Sequence, residues 1–201
     1  MRGKLRPLPL LVGTLLATGS LTVAAASAPA AEDAARPSAE AAQPQVVKGP
    51  SANHSTATCP GGTKVANGGY SVSSFAQGGD GAIHDYVKAN NPVSDGTGWE
   101  AVMLDPASKV EAFAICVPSD QAPQVVKGAG GNRSTATCPA GALAASGGYS
   151  ASSFAQAGDG AIHDYVKANN PASDGGGWEV AMLSPDSKVE AFALCGTPPA
   201  M

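Results

Sequence analysis

Apolar residues along this 201-residue chain come in short runs, each broken by Gly, Asn, Asp or Pro. The breaks recur at spacings of about ten residues, the punctuation of a β-sandwich or barrel. The runs predict strands over residues 55–59, 70–76, 82–89, 99–104 and 109–117. They predict them again over 134–138, 149–155, 161–168, 178–183 and 188–195. Asn90-Asn91-Pro92 and Ser94-Asp95-Gly96 mark turns, as do Asn169-Asn170-Pro171 and Ser173-Asp174-Gly175. A helical reading is weaker, because Gly and Pro interrupt the windows before they reach a stable length; residues 112–115 alone fit either state. In the run 109–117, Val110, Ala112, Ala114 and Cys116 share one face, with Phe113 and Ile115 on the other. Apolar residues on both faces predict a central strand covered on both sides.

The two sets of strands are copies. The stretch GDGAIHDYVKANNP occurs at 79–92 and, letter for letter, at 158–171, an offset of 79 that also aligns the flanks without a gap. One module has therefore been duplicated. The expected organisation is a β module at 45–118, a linker at 119–123 and a second β module at 124–201. In class terms this is an all-β protein of two tandem small β-sandwich-like domains. The proline-bounded run 118–123 reaches at most about 20 Å, so the modules must be near neighbours.

The N-terminus bears on compartment. Arg2, Lys4 and Arg6 precede an apolar run over 8–26, and Ala28-Pro29-Ala30 offers a small-residue cleavage site. Residues 1–30 thus read as a secretory signal peptide. The rival reading, a membrane anchor, is weakened by Pro9, Gly13, Thr14, Thr18, Gly19 and Ser20, which dilute the run. Residues 31–44 hold Ala, Pro and charge with no large apolar side chain, and are expected to form a flexible spacer. Cleavage would leave nine basic residues against sixteen acidic, a net charge of −7. Without a Lys/Arg cluster, that balance argues against nucleic acid or an anionic membrane as partner. The expected location is extracellular.

Cysteine spacing supports this. Cys59 and Cys116 in the first copy, and Cys138 and Cys195 in the second, share an internal separation of 57. In an exported chain an even count reads as disulfides, and the repeat symmetry favours Cys59–Cys116 with Cys138–Cys195. Metal binding would need closely spaced ligand pairs such as C-x-x-C, which are absent. A module of about 75 residues buries only some 60% of its unfolded surface. A cystine closing so long a loop contributes about 4 kcal/mol in the chain-entropy picture, so these cystines are expected to be structural.

The order T-A-T-C-P-x-G, G-G-Y-S, G-W-E and A-F-A-x-C, present in both copies, resembles a class of secreted actinomycete proteins with a CPxG…GGxY…GW…AxAxC module. The resemblance implies secretion and a β fold and supplies no catalytic residues. It also implies that the duplicated GDGAIHDYVKANNP stretch lies where such modules vary, and where a specific function would reside.

Candidate chemistry is sparse. Gly69-Tyr70-Ser71-Val72-Ser73 starts like a G-x-S-x-G nucleophile elbow, but Ser73 (Ser152 in the second copy) stands where glycine is needed. His84-Asp85 and His163-Asp164 look like half a catalytic triad. Neighbours on a strand point to opposite faces, so neither Asp can orient its adjacent imidazole. Asp80, Asp85, Asn90 and Asp95 offer hard oxygen ligands that would suit calcium, but turn chemistry explains them equally well. Asn53-His54-Ser55 and Asn132-Arg133-Ser134 match the glycosylation pattern and read as turn residues. No metal or other cofactor is expected.

Binding is the better-equipped class. The tryptophans Trp99 and Trp178 are expected to anchor the cores, since large aromatics dominate small ones. Tyr70 with Tyr149, and Tyr86 with Tyr165, are the remaining candidate rings. On a strand over 82–89, His84, Tyr86 and Lys88 share a face, as do His163, Tyr165 and Lys167 in the copy. These six are the candidate binding residues, two separate sites for an extracellular polymer such as a glycan or cell-wall material. The alternative is a secreted protease inhibitor presenting the loop 90–98, and a hydrolase ranks third.

Overall fold

Two three-stranded sheets face each other in each module, and one strand pairing joins the modules. The computed structural model describes residues 43–77, 85–155 and 164–197, which belong to one compact unit. The expected signal peptide and nearly all of the spacer lie outside the described residues.

The first module contains β1 (Gln45–Lys48), β2 (His54–Thr58), β3 (Thr63–Ser74), β4 (Val87–Pro92), β5 (Gly98–Met103) and β6 (Lys109–Pro118). The second contains β7 (Gln124–Lys127), β8 (Arg133–Thr137), β9 (Leu143–Ser153), β10 (Val166–Pro171), β11 (Gly177–Met182) and β12 (Lys188–Gly196). Sheet β1-β6-β3 packs on β2-β5-β4, and β7-β12-β9 packs on β10-β11-β8. All strand pairs are antiparallel. The chain is all-β, with one internal disulfide in each sandwich.

The cystines tie sheet to sheet. Cys59 directly follows β2 and bonds Cys116 of β6, and Cys138 bonds Cys195 in the same way, with Cα separations of 5.7 and 5.5 Å. A buried hydroxyl adds a second tie. Ser55 Oγ accepts the Ala112 N–H at 2.9 Å, and Ser134 Oγ accepts that of Ala191 at 2.8 Å. The remaining core is small: Ala57, Ala101, Ala112 and Ala114 pack with Val65, Val110, Met103 and Trp99, all fully buried.

Trp99 explains why β3 is rich in glycine. A Cβ on Gly68 would overlap the indole ring, and a Cβ on Gly147 would overlap that of Trp178. The Asn67-Gly68-Gly69-Tyr70 run is therefore strand despite its low β propensity, and β3 begins at Thr63 rather than at residue 70. Of the expected turns the two Ser-Asp-Gly runs hold, closed by Gly96 and Gly175 with φ of 76° and 71°. Asn90-Asn91-Pro92 and Asn169-Asn170-Pro171 are strand instead, ending β4 and β10 in register with β5 and β11. There Asn90 and Asn169 each accept a tryptophan indole N–H at 2.7 Å. Residues 112–115 are strand, not helix. Strands β1 and β7 escape the pattern because each is a four-residue edge strand carrying only two valines. β4 and β10 start at Val87 and Val166, so residues 85 and 86, and their copies, lie ahead of the strands although the expected spans 82–89 and 161–168 include them.

The modules share a sheet. Ala89 and Asn90 of β4 pair with Ser150 and Tyr149 of β9, giving the six-stranded order β2-β5-β4-β9-β12-β7. Ser146 Oγ donates to Asn67 Oδ1 at 2.7 Å across the same junction, and Leu194 of β12 packs into the first module's core cluster. The last strand of each module is central in its own sheet, but only β12 is covered on both faces. Phe192 and Leu194 are buried, whereas their counterparts on β6 are half-buried Phe113 and exposed Ile115.

A pair of adjacent substitutions tests the glycine account. Gly68→Ala forces the ring of Trp99 to move and is expected to cost about 1–3 kcal/mol. Gly69 has open space around its Cβ position, so Gly69→Ala is expected to leave stability unchanged or slightly raised. Urea midpoints of the two variants against wild type are the measurement; equal midpoints would show that the glycine-tryptophan contact is unimportant.

Candidate functional site

The Gly-Gly-Tyr runs that accommodate the tryptophans also place Tyr70 on β3 and Tyr149 on β9. Tyr86 and Tyr165 come from the segments just ahead of β4 and β10, and buried aspartates hold those segments. Asp85 Oδ1 accepts the N–H of Tyr86 at 2.8 Å and of Asp105 at 2.9 Å. Asp164 Oδ1 accepts those of Tyr165 at 2.9 Å and Ser184 at 2.8 Å, while its Oδ2 takes the Ser187 hydroxyl. Each tyrosine carbonyl then accepts from the residue just past the strand opposite, Leu104 N–H at 2.8 Å and Leu183 N–H at 3.0 Å.

All four tyrosines of the chain come together. Tyr70, Tyr86, Tyr149 and Tyr165 line one cavity of about 180 Å³ at the junction, with Phe154, Val87 and Val166 completing its wall. Tyr149 is buried and its hydroxyl donates to the Val87 carbonyl at 2.8 Å, which makes it part of the frame. Burial, with a smaller contribution from neighbouring Tyr70, holds the Tyr149 phenol above its ordinary range. Tyr70 and Tyr165 are 43% and 49% exposed and Tyr86 is half-buried, so these three rings face what enters.

The six sequence-derived binding residues are distributed differently from the expectation. Tyr86 and Tyr165 meet in this single cavity. Lys88 is half-buried on β4 and Lys167 exposed on β10, and neither lines it. His84, His163 and Asp80 lie outside the described residues. Phe154 was not among the candidates; its signal in the sequence was the Ser-Ser-Phe that ends each Gly-Gly-Tyr strand.

Other candidate chemistry is used up locally. Asp85 and Asp164 each spend Oδ1 on two backbone N–H groups, and Asp164 Oδ2 takes the Ser187 hydroxyl. Ser73 Oγ lies 2.9 Å from Ser51 Oγ and donates to the Lys109 carbonyl at 3.2 Å. Asn90 Oδ1 accepts the Trp99 indole N–H at 2.7 Å, and Asp95 Oδ1 accepts from the Thr97 hydroxyl and N–H at 2.6 and 2.9 Å. Those two bonds from Thr97 hold the Asp95 carboxyl below its ordinary range. Asn53 Nδ2 donates to the carbonyls of Met103 and Asp105 at 3.2 and 2.7 Å, so its amide serves the fold. Among the described residues no group of three or more His, Cys, Asp or Glu side chains is placed to hold a metal ion. A larger depression of about 550 Å³ is lined by linker residues and alanines, with Asp120 its one charged group and no aromatic ring.

Comparison with known proteins finds no matching family model, no matching curated protein and no matching solved structure.

The Asp164 clamp gives a pH prediction. Burial, the largest single influence, pushes its carboxyl up. The hydrogen bonds from the Ser187 hydroxyl and from the Ser184, Tyr165 and Ala155 N–H groups together outweigh burial and hold it below the ordinary 3.8. A depressed carboxyl contributes stability that is fully present above the unfolded pKa and lost as pH falls through the folded one. Asp164→Asn is expected to lower stability by about 1–3 kcal/mol at neutral pH. It should also flatten the acid limb of stability against pH below about pH 4. Urea titrations of both proteins across that range check it; an unchanged acid limb would remove Asp164 from the account.

Proposed function

We propose that the protein is an exported, non-catalytic binding protein that holds an extracellular polymer, a glycan or cell-wall material, at the tyrosine-lined junction of its two modules. The observation that carries this reading is the convergence of all four tyrosines on one cavity. Aromatic faces stack on the apolar faces of sugar rings, and phenol hydroxyls exchange hydrogen bonds with sugar hydroxyls. Tyr70 and Tyr165 are open to solvent beside half-buried Tyr86, where an extended chain can lie across them. Export is supported by the basic and apolar N-terminal pattern with its Ala-Pro-Ala end, and by two cystines of the kind that persist in oxidising compartments. The motif order shared with secreted actinomycete modules supports the same placement.

The test is co-sedimentation of the purified protein with insoluble peptidoglycan, together with a glycan array. Retention is expected, and Tyr165→Ala should weaken it several-fold. The double variant Tyr86→Ala/Tyr165→Ala should reduce it by about 100-fold, consistent with two stacked rings at about 1–3 kcal/mol each. A folded double variant that binds as wild type would move the site elsewhere. Failure of the wild-type protein to bind either set of probes would overturn the reading.

A further inference from the structure

The junction between the modules uses half of each module and leaves the other half free. β4 gives one edge to β5 and the other to β9, whereas among the described residues its copy β10 pairs only with β11. The two strands are identical in sequence, VKANNP. In the same way β9 is paired on both edges, and its copy β3, among the described residues, only with β6.

The side chains follow the strands. Asn91 and Pro92 are buried, while Asn170 and Pro171 are exposed. Trp99 is fully buried, while Trp178 is only half-buried. On the complementary surface Leu194 is fully buried and Val125 packs against the first module's core. Their counterparts Ile115 and Val46 are 37% and 72% exposed. The chain therefore displays both halves of an interface that it already makes once within itself.

We propose that these free halves bind each other between molecules, so that β10 of one copy adds to β3 of the next and copies join head to tail. The occupant of each free edge is a second copy of this chain, and the template is the β4–β9 junction. Moved by the repeat offset of 79, its register puts Ala168 opposite Ser71 and Asn169 opposite Tyr70. The Tyr70 hydroxyl then takes the Val166 carbonyl, as Tyr149 takes that of Val87. Ile115 and Val46 cover the face around Trp178. The two surfaces differ, so the contact is heterologous, and each added copy presents a fresh edge. Unpaired strand edges of this kind are the ordinary route to such growth.

A glycine separates this interface from the fold of the single chain. A Cβ on Gly148 would overlap the Asn90 carbonyl of the neighbouring strand, whereas a Cβ on Gly69 meets nothing within 4 Å. Gly69→Val is thus compatible with one chain alone and incompatible with β10 packed on β3. Sedimentation velocity of the purified, oxidised protein from about 10 μM to about 1 mM reads the association. The weight-average mass of wild type is expected to climb past twice the monomer mass, with a blue shift of tryptophan emission that Trp178→Phe removes. Gly69→Val should stay monomeric with a wild-type urea midpoint, and Ile115→Lys should weaken association about tenfold or more. Ile115→Lys decides the matter if Gly69→Val fails to fold. A wild-type protein that remains monomeric at the top concentration, as it would if its own β10 closed on β3, overturns the proposal. So does growth that stops at a dimer, or association unaffected by the substitutions.

Discussion

An indole ring resting on bare backbone organises each half of this protein. Trp99 fills the centre of a core built mostly from alanine and valine, and its ring needs the space that a side chain at position 68 would take. Glycine on the opposing strand is the solution, and it has consequences along that strand. The next residue is glycine too, and in the second module its backbone lies against the Asn90 carbonyl, where a Cβ would not fit. The tyrosine that follows closes the contact through its hydroxyl, 2.8 Å from the Val87 carbonyl. Three successive residues thus seat the core ring, admit the neighbouring strand and build the cavity wall. In the second module, where all three contacts are made, a change at Gly147, Gly148 or Tyr149 falls on packing, on the junction or on the cavity wall.

The junction changes what the duplication means for binding. Two separate surfaces on tethered modules would gain from effective concentration, the second contact following the first at millimolar local levels. The structure instead brings Tyr86 and Tyr165 into one cavity with Tyr70 and Tyr149. Duplication here supplies two sides of one site. A polymer bound there as proposed would meet rings of both modules, so loss of either Tyr86 or Tyr165 would be a loss within a single contact, without the partial independence of two sites.

Much of the fold was legible because its signals are local. Turn residues at regular spacing give the strands, and the 57-residue cystine spacing repeated in both copies pairs the cysteines. The exact duplication gives the two sandwiches their matching pattern. What was hidden was set by contacts between distant residues. Nothing near Asn67-Gly68-Gly69 says strand; Trp99, far along the chain, makes it one. The face of His84, Tyr86 and Lys88 rested on a strand over 82–89, and with β4 starting at Val87 that alternation does not reach Tyr86. The aspartates read as half of a triad are buried clamps on the tyrosine segments, which adjacent residue types alone do not reveal.

The clearest limit lies in the two VKANNP strands. Their letters are the same, yet one is buried between two neighbours and the other lies along an open edge. No rule acting on the hexapeptide can separate them, since burial here is decided by which module comes first. In a tandem pair joined by an unlike-to-unlike contact, the first module's β4 and the second module's β9 face inward, and the mirror choice is left at the ends. The end strands keep the composition suited to being covered, apolar Val166 and Ala168 on one side and Tyr70 with Val72 on the other. β10 does carry Lys167 and Pro171, residue types that often deter partners at an edge, but its copy β4 has the same Lys88 and Pro92 and is paired on both sides. The asymmetry that exposes them is therefore a property of the pair, and it appears only when the two copies are folded against each other.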